Sequence, residues 1–394
     1  MVSARDCSTV LRRFSGPEAA ELAILCRPDA STRDPVAEAE AAYRALADTL
    51  AAERSSFRDV ASESIFLRDI AHDLPLVLDA RSRVLSDRGG NAPVPCFIQQ
   101  APADDAARFV LFASAVVPHD RSAWSVRDVR AASTCACEGC ARSGARLVRL
   151  GDQVSLHSTN LYGAGTDVHE QALGMFHAAE RLLAGCDMSF RDVVRAWIQL
   201  RDIDRDYDAL NAARREFFAR SGVEQRPAST GVGGGPLPDA HACVLTVQAV
   251  KSGRSLDVSR MSTPFLNEAW SYGADFSRGL RVVEANRITL HVSGTASIDD
   301  AGRSVHTGDF AAQAERMLDN IESLLAGQGA TFADLMSGVT YVKRADDASL
   351  LRDLYRRRGF AGFPCAVVEA ALCRPELLCE TEVVAMLPPI PPGA

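Results

Sequence analysis

SFRDVVRAWIQLRDI, residues 189–203, stands almost unchanged earlier in the chain as SFRDVASESIFLRDI, residues 56–70, and more loosely a third time as TFADLMSGVTYVKRA, residues 331–345. Three copies at similar intervals imply three units of one design. The Ser or Thr that opens each copy, followed by Phe and then by Asp two further on, suits a connection from helix to strand. The run after it, such as VVRAWIQLRDI, alternates well enough for a strand packed on one face. Each copy follows a stretch with apolar residues at three and four spacing, at 36–53, 168–185 and 310–327, which predicts a helix in each unit.

Working outward, a second helix is expected at 74–85, 207–218 and 348–359, followed by a Pro-marked loop and a closing strand pair within 226–250 and 363–387; unit one closes with VPCFIQQ and RFVLFASAVV. A leading hairpin is legible at 146–163 and 287–305, and unit one is expected to lack it. The pattern predicts an α+β fold in which mixed sheets pack against helices. Residues 1–118 form a degenerate first unit, 119–145 a cysteine-containing connector, 146–252 the second unit, 260–387 the third, and 388–394 a disordered tail.

Composition narrows the function. With 394 residues, 47% of them apolar, the chain can bury a large core. A net charge of −8, with no basic stripe interleaved with aromatics, argues against nucleic acid as a partner. No apolar run approaches the roughly 20 residues of a membrane span, and the N-terminal residues lack a secretory h-region. A cytoplasmic protein with no membrane partner is expected. Eleven scattered cysteines read as reduced thiols rather than as a disulfide framework.

Several residue groups could carry chemistry. Glu380, in LLCETEV (377–383), falls on the last strand of unit three among Leu378, Cys379, Val383 and Val384. Desolvation there would raise its pKa toward that of a general acid working near neutrality. It could equally cap a neighbouring backbone or pair with an arginine. The matching stretches of the other units, read as FASAV and LTVQA, carry no acid. The loop ASTGVGGG (228–235) offers backbone donors at Thr230 and Gly231, but no Lys-Ser/Thr follows the glycines, so it is not a phosphate loop. STCACEGC (133–140) brings together Cys135, Cys137 and Cys140, to which Cys96 or His157 could add a fourth zinc ligand; a flexible cysteine-rich connector is the favoured alternative, with no metal held. His157, His291 and His306 have no triad-like spacing, so Ser/His/Asp catalysis has no support.

SGTAS (293–297), the helix and strand of 310–342, FP (363–364) and LLCETEV together resemble the RidA/YjgF superfamily over all of unit three, and unit two resembles it nearly as well. Members of that superfamily have a chorismate-mutase-like fold and form trimers with ligand sites between subunits. Three such units in one chain imply an intramolecular pseudotrimer, expected to be a monomer or weak dimer. Within the superfamily, RPASTGVGGG (226–235), WSYGADFSRG (270–279), HVSGTASI (291–298), TYVKRADD (340–347) and CRPELLCETE (373–382) resemble the chorismatases.

That resemblance implies a cofactor-free enzyme whose small-molecule substrate is chorismate or a similar carboxylate. Glu380 matches the family's proton donor to the enolpyruvyl methylene, and Arg278 and Arg344 match its carboxylate-binding positions; either arginine could instead be a solvated surface residue. Tyr272 could donate its hydroxyl to the ligand or be a core aromatic. Thr230 and Gly231 match the family's ATGIG-type loop, and Ser293 and Gly294 belong to the matching hairpin strand. Gly294 together with Cys373 resembles the type that aromatises to 3-hydroxybenzoate. Cys373 could act as a nucleophile, line the pocket, or be a small buried hydrophobe. RidA-type deaminases use an arginine in FPARS, where this chain has FPCAV (363–367) and RPAST (226–230). Enamine or imine deamination, or tailoring of another small carboxylate, is therefore an alternative, as is a noncatalytic ligand-binding pseudotrimer.

Overall fold

The computed structural model describes residues 7–29, 34–88, 91–103, 107–132, 137–237, 240–253, 256–268, 270 and 275–389. Each repeated Ser/Thr-Phe-x-Asp motif closes one turn of 3-10 helix with a reciprocal capping box. In the second copy the Ser189 N–H donates to Asp192 at 2.7 Å and the Ser189 hydroxyl oxygen accepts from the Arg191 N–H at 3.3 Å. Two backbone donors that would be orphaned at a turn are thereby satisfied, an arrangement worth about 1 kcal/mol per cap. The strand that follows starts in register in all three units.

Unit one holds β1 (Cys7–Ser15), β2 (Ala19–Pro28), α1 (Pro35–Ala52), β3 (Val60–Leu67), α2 (Ile70–Asp87), β4 (Cys96–Gln99) and β5 (Phe109–Pro118), in sheet order β1-β2-β5-β3-β4. Unit two holds β6 (Trp124–Arg130), the short α3 (Glu138–Ala141), β7 (Gly144–Leu150), β8 (Gln153–Ser158), α4 (Val168–Ala184), β9 (Val193–Leu200), α5 (Ile203–Ser221), β10 (Ala228–Gly233) and β11 (Cys243–Ser252), in order β10-β9-β11-β8-β7-β6. Unit three holds β12 (Asp257–Arg260), β13 (Gly279–Val283), β14 (Ile288–Ala296), α6 (Phe310–Ala326), β15 (Leu335–Val342), α7 (Ala348–Arg358), β16 (Cys365–Glu369) and β17 (Cys379–Leu387), in order β12-β13-β14-β17-β15-β16. In each sheet one strand pair is parallel, β3 with β4, β9 with β10 and β15 with β16, because a helix crosses over between its members.

Three expectations need correction. Unit one does have the leading hairpin: β1 pairs antiparallel with β2 from Cys7–Pro28 to Ser15–Ala20. None of the residues of its β1 is buried, so the apolar signal was thin. Residues 119–145 are more than a connector, since β6 pairs along β7 as an edge strand whose polar, half-exposed sequence hides it. The third sheet begins at Asp257 rather than at 260, and the proposed tail from 388 falls mostly outside the described residues.

Each helix pair covers one face of its sheet. In unit three, Met317, Leu318, Ile321, Leu324 and Leu325 of α6 are fully buried against β14, β15 and β17, and each such side chain stabilises the fold by about 1.5–3 kcal/mol. The opposite faces of the three sheets converge on a central cavity of about 190 Å³ lined from all three units, including Glu21, Glu63, His157, Arg195, Arg287, His291 and Glu382. Paired charges close the seams around it. Arg287 of unit three meets Glu21 of unit one at 2.5 Å, and Arg195 of unit two meets Glu382 of unit three at 2.7 Å. Arg146 of unit two donates to the Val60 carbonyl of unit one at 2.8 Å. Among the described residues no helix is long and apolar enough to cross a membrane.

Candidate functional site

The strand register fixes which positions correspond between units. Val342 lies opposite Cys379, Leu200 opposite Cys243 and Leu67 opposite Phe109. Each first partner stands eleven residues after its capping Ser or Thr. Glu380 therefore corresponds to Val244 and Val110, which replace the FASAV and LTVQA stretches as the equivalent places. The conclusion that the acid belongs to one unit is unchanged.

Glu380 projects into a cleft of about 440 Å³ at the seam between units two and three. Unit three supplies Phe276, Arg278, Gly294, Ala296, Ile298, Cys373, Arg374 and Leu377, while unit two supplies Ser229 and Gly231 from β10 and Tyr207, Asp208, Asn211, Arg214 and Arg215 from α5. The Glu380 side chain is 5% exposed, and its pKa is pushed up to about 8, first by desolvation and then by the nearby Glu382 charge, against the pull of Arg278, Arg195 and Arg374. At neutral pH it is mostly a carboxylic acid rather than a carboxylate.

Backbone and hydroxyl groups hold the acid's surroundings in place. The Thr230 hydroxyl oxygen accepts from Arg195 at 2.6 Å and from the Gly294 N–H at 2.9 Å, so unit two grips the strand opposite Glu380. The Ser293 hydroxyl accepts from the Ser229 N–H at 2.8 Å and donates to the Ser277 carbonyl at 2.6 Å. Ser293 is thus fully buried and ties three segments together rather than facing the cleft. Glu382, two residues from the acid, is committed to Arg195 and to the Trp197 indole at 2.6 Å. One carboxyl is locked in an ion pair while the other stays neutral.

The cationic side of the cleft differs from the sequence expectation. Arg278 is there, 4% exposed, with its Nε donating to the Asn267 carbonyl at 3.0 Å and its guanidinium 5.6 Å from the Phe276 ring centre. Arg344 is not: its side chain is 65% exposed and lies 3.3 Å from Asp347 on the connection after β15. Its place is taken by Arg214, Arg215 and Arg374. Arg214, whose pKa burial lowers, lies 5.8 Å from the same Phe276 ring. Arg374 donates to the Gly302 carbonyl at 2.7 Å and to Ser304 at 3.2 Å. The missed residues had a signal: Tyr207, Asn211 and Arg214 recur at helical spacing on α5, and Asn211 and Arg214 are buried although polar.

Cys373 lines the cleft, and desolvation, followed by the Glu380 charge, pushes its thiol up to about 12. A thiol so far from ionisation is a poor nucleophile and acts as a small, weakly polar wall. Thr230 and Gly231 lie on β10 across from Trp197 and Ile198; Gly231 lines the cleft, whereas Thr230 is 1% exposed and is not among the lining residues. Tyr272 lies outside the described residues. The site has a buried proton source, several guanidinium groups and an aromatic ring, an arrangement fitted to protonating a small polyanion.

Comparisons with known proteins agree with this architecture. The family described as Endoribonuclease L-PSP matches residues 273–387. The chain is 26% identical over 228 residues to a 3-hydroxybenzoate synthase of Streptomyces hygroscopicus, an alignment covering 51% of this chain and 65%, just under two thirds, of that synthase. It is 27% identical over 97 residues to a RutC family protein of Pyrococcus abyssi, covering 24% of this chain and 76% of the relative. A crystal structure of a chorismatase superposes with a TM-score of 0.60 at 17% identity, covering 83% of this chain and 93% of the other.

Proposed function

We propose that this chain, which carries the chorismatase fold of three RidA/YjgF-like units, cleaves the enolpyruvyl ether of chorismate to pyruvate and an aromatic hydroxy acid, with 3-hydroxybenzoate the favoured product. The observation that carries the reading is Glu380: a neutral, desolvated carboxyl in a cleft rimmed by guanidinium groups.

The steps follow from the side chains. Arg278 and the arginines of α5 and of the loop before β17 hold the two carboxylates of the substrate, where guanidinium forks offer paired donors. Glu380 delivers its proton to the methylene carbon of the enol ether, and the ether carbon becomes an oxocarbenium-like centre. The carboxylate left behind stabilises that cation, and water capture followed by C–O cleavage releases pyruvate. Loss of the ring hydroxyl as water then aromatises the ring. The water consumed equals the water returned, so chorismate divides into pyruvate and hydroxybenzoate with no other reactant. Cys373 and Gly294 leave room beside the acid for the ring. Because the cleft is built within one polypeptide, the proposed reaction needs no second copy, and the chain works as a monomer or weak dimer.

Against imine deamination stands Ser229. It occupies the cleft-lining position that corresponds to the arginine of the FPARS motif, and Ala366 occupies the equivalent place in unit three. The deciding assay incubates purified protein with chorismate and follows pyruvate and aromatic acid together, with Glu380→Gln as control. Formation of both by the wild-type chain alone supports the reading; absence of both ends it. Ammonia release from an aminoacrylate source would point to the deaminase, and thermal protection by chorismate without turnover to a binding protein.

A further inference from the structure

The cleft between units one and two, the counterpart of the Glu380 cleft, is filled by the chain itself. Val244 stands there in place of the acid and packs with Cys137, Cys140 and Tyr162. Asn160, in the loop after β8, spans to unit one, accepting from the Phe97 N–H at 2.9 Å and donating to the Phe97 carbonyl at 3.0 Å. By the same register His241 corresponds to Leu377, a residue of the Glu380 cleft. The plug is Cys137 with the short α3 of unit two, and with His241 it brings together three side chains that are metal ligands by type; Cys135, also singled out in the sequence, lies outside the described residues.

We propose that Cys137, Cys140 and His241 bind one zinc ion, which fastens α3 and the Cys137 before it into the second cleft and closes that cleft to substrate. The Cys137 and Cys140 sulfurs and a ring nitrogen of His241 lie within 4.8 Å of one another. Cys137 Sγ is 3.3 Å from His241 Nε2, close to the edge of about 3.5 Å that tetrahedral zinc sets between sulfur and nitrogen. The two cysteines have the C-x2-C spacing of structural zinc sites, and the Cys140 N–H donates to Cys137 Sγ at 3.4 Å, which fixes the position of that sulfur beside the second one.

The imidazole is held against the two sulfurs. His241 is 5% exposed, so its ring has little freedom to turn away from them. Its loop is fixed from both sides: Arg201 donates to the Pro236 carbonyl at 2.6 Å and to the His241 carbonyl at 3.3 Å, while Gln171 accepts from the Ala242 N–H at 2.8 Å and donates to the Ala240 carbonyl at 3.3 Å. Tyr162 covers the ring, with centroids 4.7 Å apart. Two thiolates and a divalent cation also sum to no net charge, which suits a site this buried. Water or a further donor completes the tetrahedron.

The full chain, produced with added zinc and purified without chelator, is expected to carry about one zinc per molecule by elemental analysis. Exchange with cobalt(II) should give the strong visible bands of a tetrahedral site and a near-ultraviolet thiolate charge-transfer band. Cys140→Ser and His241→Ala should each bind zinc at least tenfold more weakly, and Cys373→Ala, which alters the other cleft, should keep it. If either ligand variant fails to fold, the cobalt spectrum of the wild-type chain decides. A metal-free wild-type protein, a Cys137–Cys140 disulfide, a cobalt spectrum without thiolate charge transfer, or undiminished zinc in the ligand variants would each overturn the proposal. None of these results depends on turnover of chorismate.

Discussion

A Cβ atom placed on Gly294 would lie 1.9 Å from Oε1 of Glu380 and 3.0 Å from Cγ2 of Thr230. The glycine is the floor on which the acid rests. Gly294→Ala must therefore push the carboxyl out of position. Displacement of a reacting group by about 1 Å can cost on the order of a hundredfold in rate, so kcat for pyruvate release should fall roughly ten- to a hundredfold with the fold intact. An unchanged kcat, measured by coupled pyruvate detection, would show that the acid does not act from this position.

Glu380→Gln removes the proton but keeps the shape. Loss of general acid catalysis costs about 10²–10⁴-fold, and the wild-type rate should decline as pH rises through about 8. Stability gives an independent readout. A carboxyl raised from 4.5 to about 8 in the folded state binds its proton there more tightly than in the unfolded chain, so its stabilisation is complete below about 4.5 and is lost on going up to 8. Glu380→Gln should therefore gain stability relative to wild type across that window, by on the order of a few kcal/mol. Parallel urea titrations at several pH values check the slope.

The two arginines expected from the sequence should part company. Arg278→Ala, which removes a buried guanidinium from the cleft, is expected to lower kcat/KM about ten- to a hundredfold. Arg344→Ala, on an exposed side chain, should change it less than about threefold. Equal losses in steady-state assays would contradict the placement of the site.

Arg195 joins the seam to the site. Replacing it with Met strands Glu382 in a buried position and frees the Thr230 hydroxyl from one of its donors. Breaking a buried pair from one side costs about 3–5 kcal/mol, which denaturant unfolding would detect; a loss below about 1 kcal/mol would mean that water reaches the pair.

Acid should weaken the central cavity. His291 and His157 are held down to about 3 and about 4, first by desolvation and then by cavity arginines. The unfolded chain takes up these protons near the ordinary value of 6.5, so the stability they contribute is present above that pH and is lost as pH falls from 6.5 toward 3–4. His291→Gln should flatten the acid limb of the stability curve. An unaltered slope would show that His291 is not buried as a neutral ring.

Much of this architecture could be read from the chain. The Ser/Thr-Phe-x-Asp boxes carried the repeat because cap and strand share one short local motif, and Glu380 stood out as an acid in an apolar strand. What escaped notice depended on distant pairing. The hairpin of unit one was hidden because none of the nine residues of β1 is buried, and stretches beginning at Phe112 and Leu245, two and one residues past Val110 and Val244, gave the wrong counterparts of Glu380. Arg344 was expected in the site from the family resemblance, whereas Arg214 reaches the cleft from a helix of another unit. His241 stands about a hundred residues from Cys137 and could be joined to it only by the fold.

Since the seam that shapes the Glu380 cleft is closed within a single polypeptide, its assembly is a first-order event. Dilution cannot pull the two walls apart as it can in a ring of separate subunits. The catalytic power of each molecule should consequently be the same at trace concentration as in a concentrated stock.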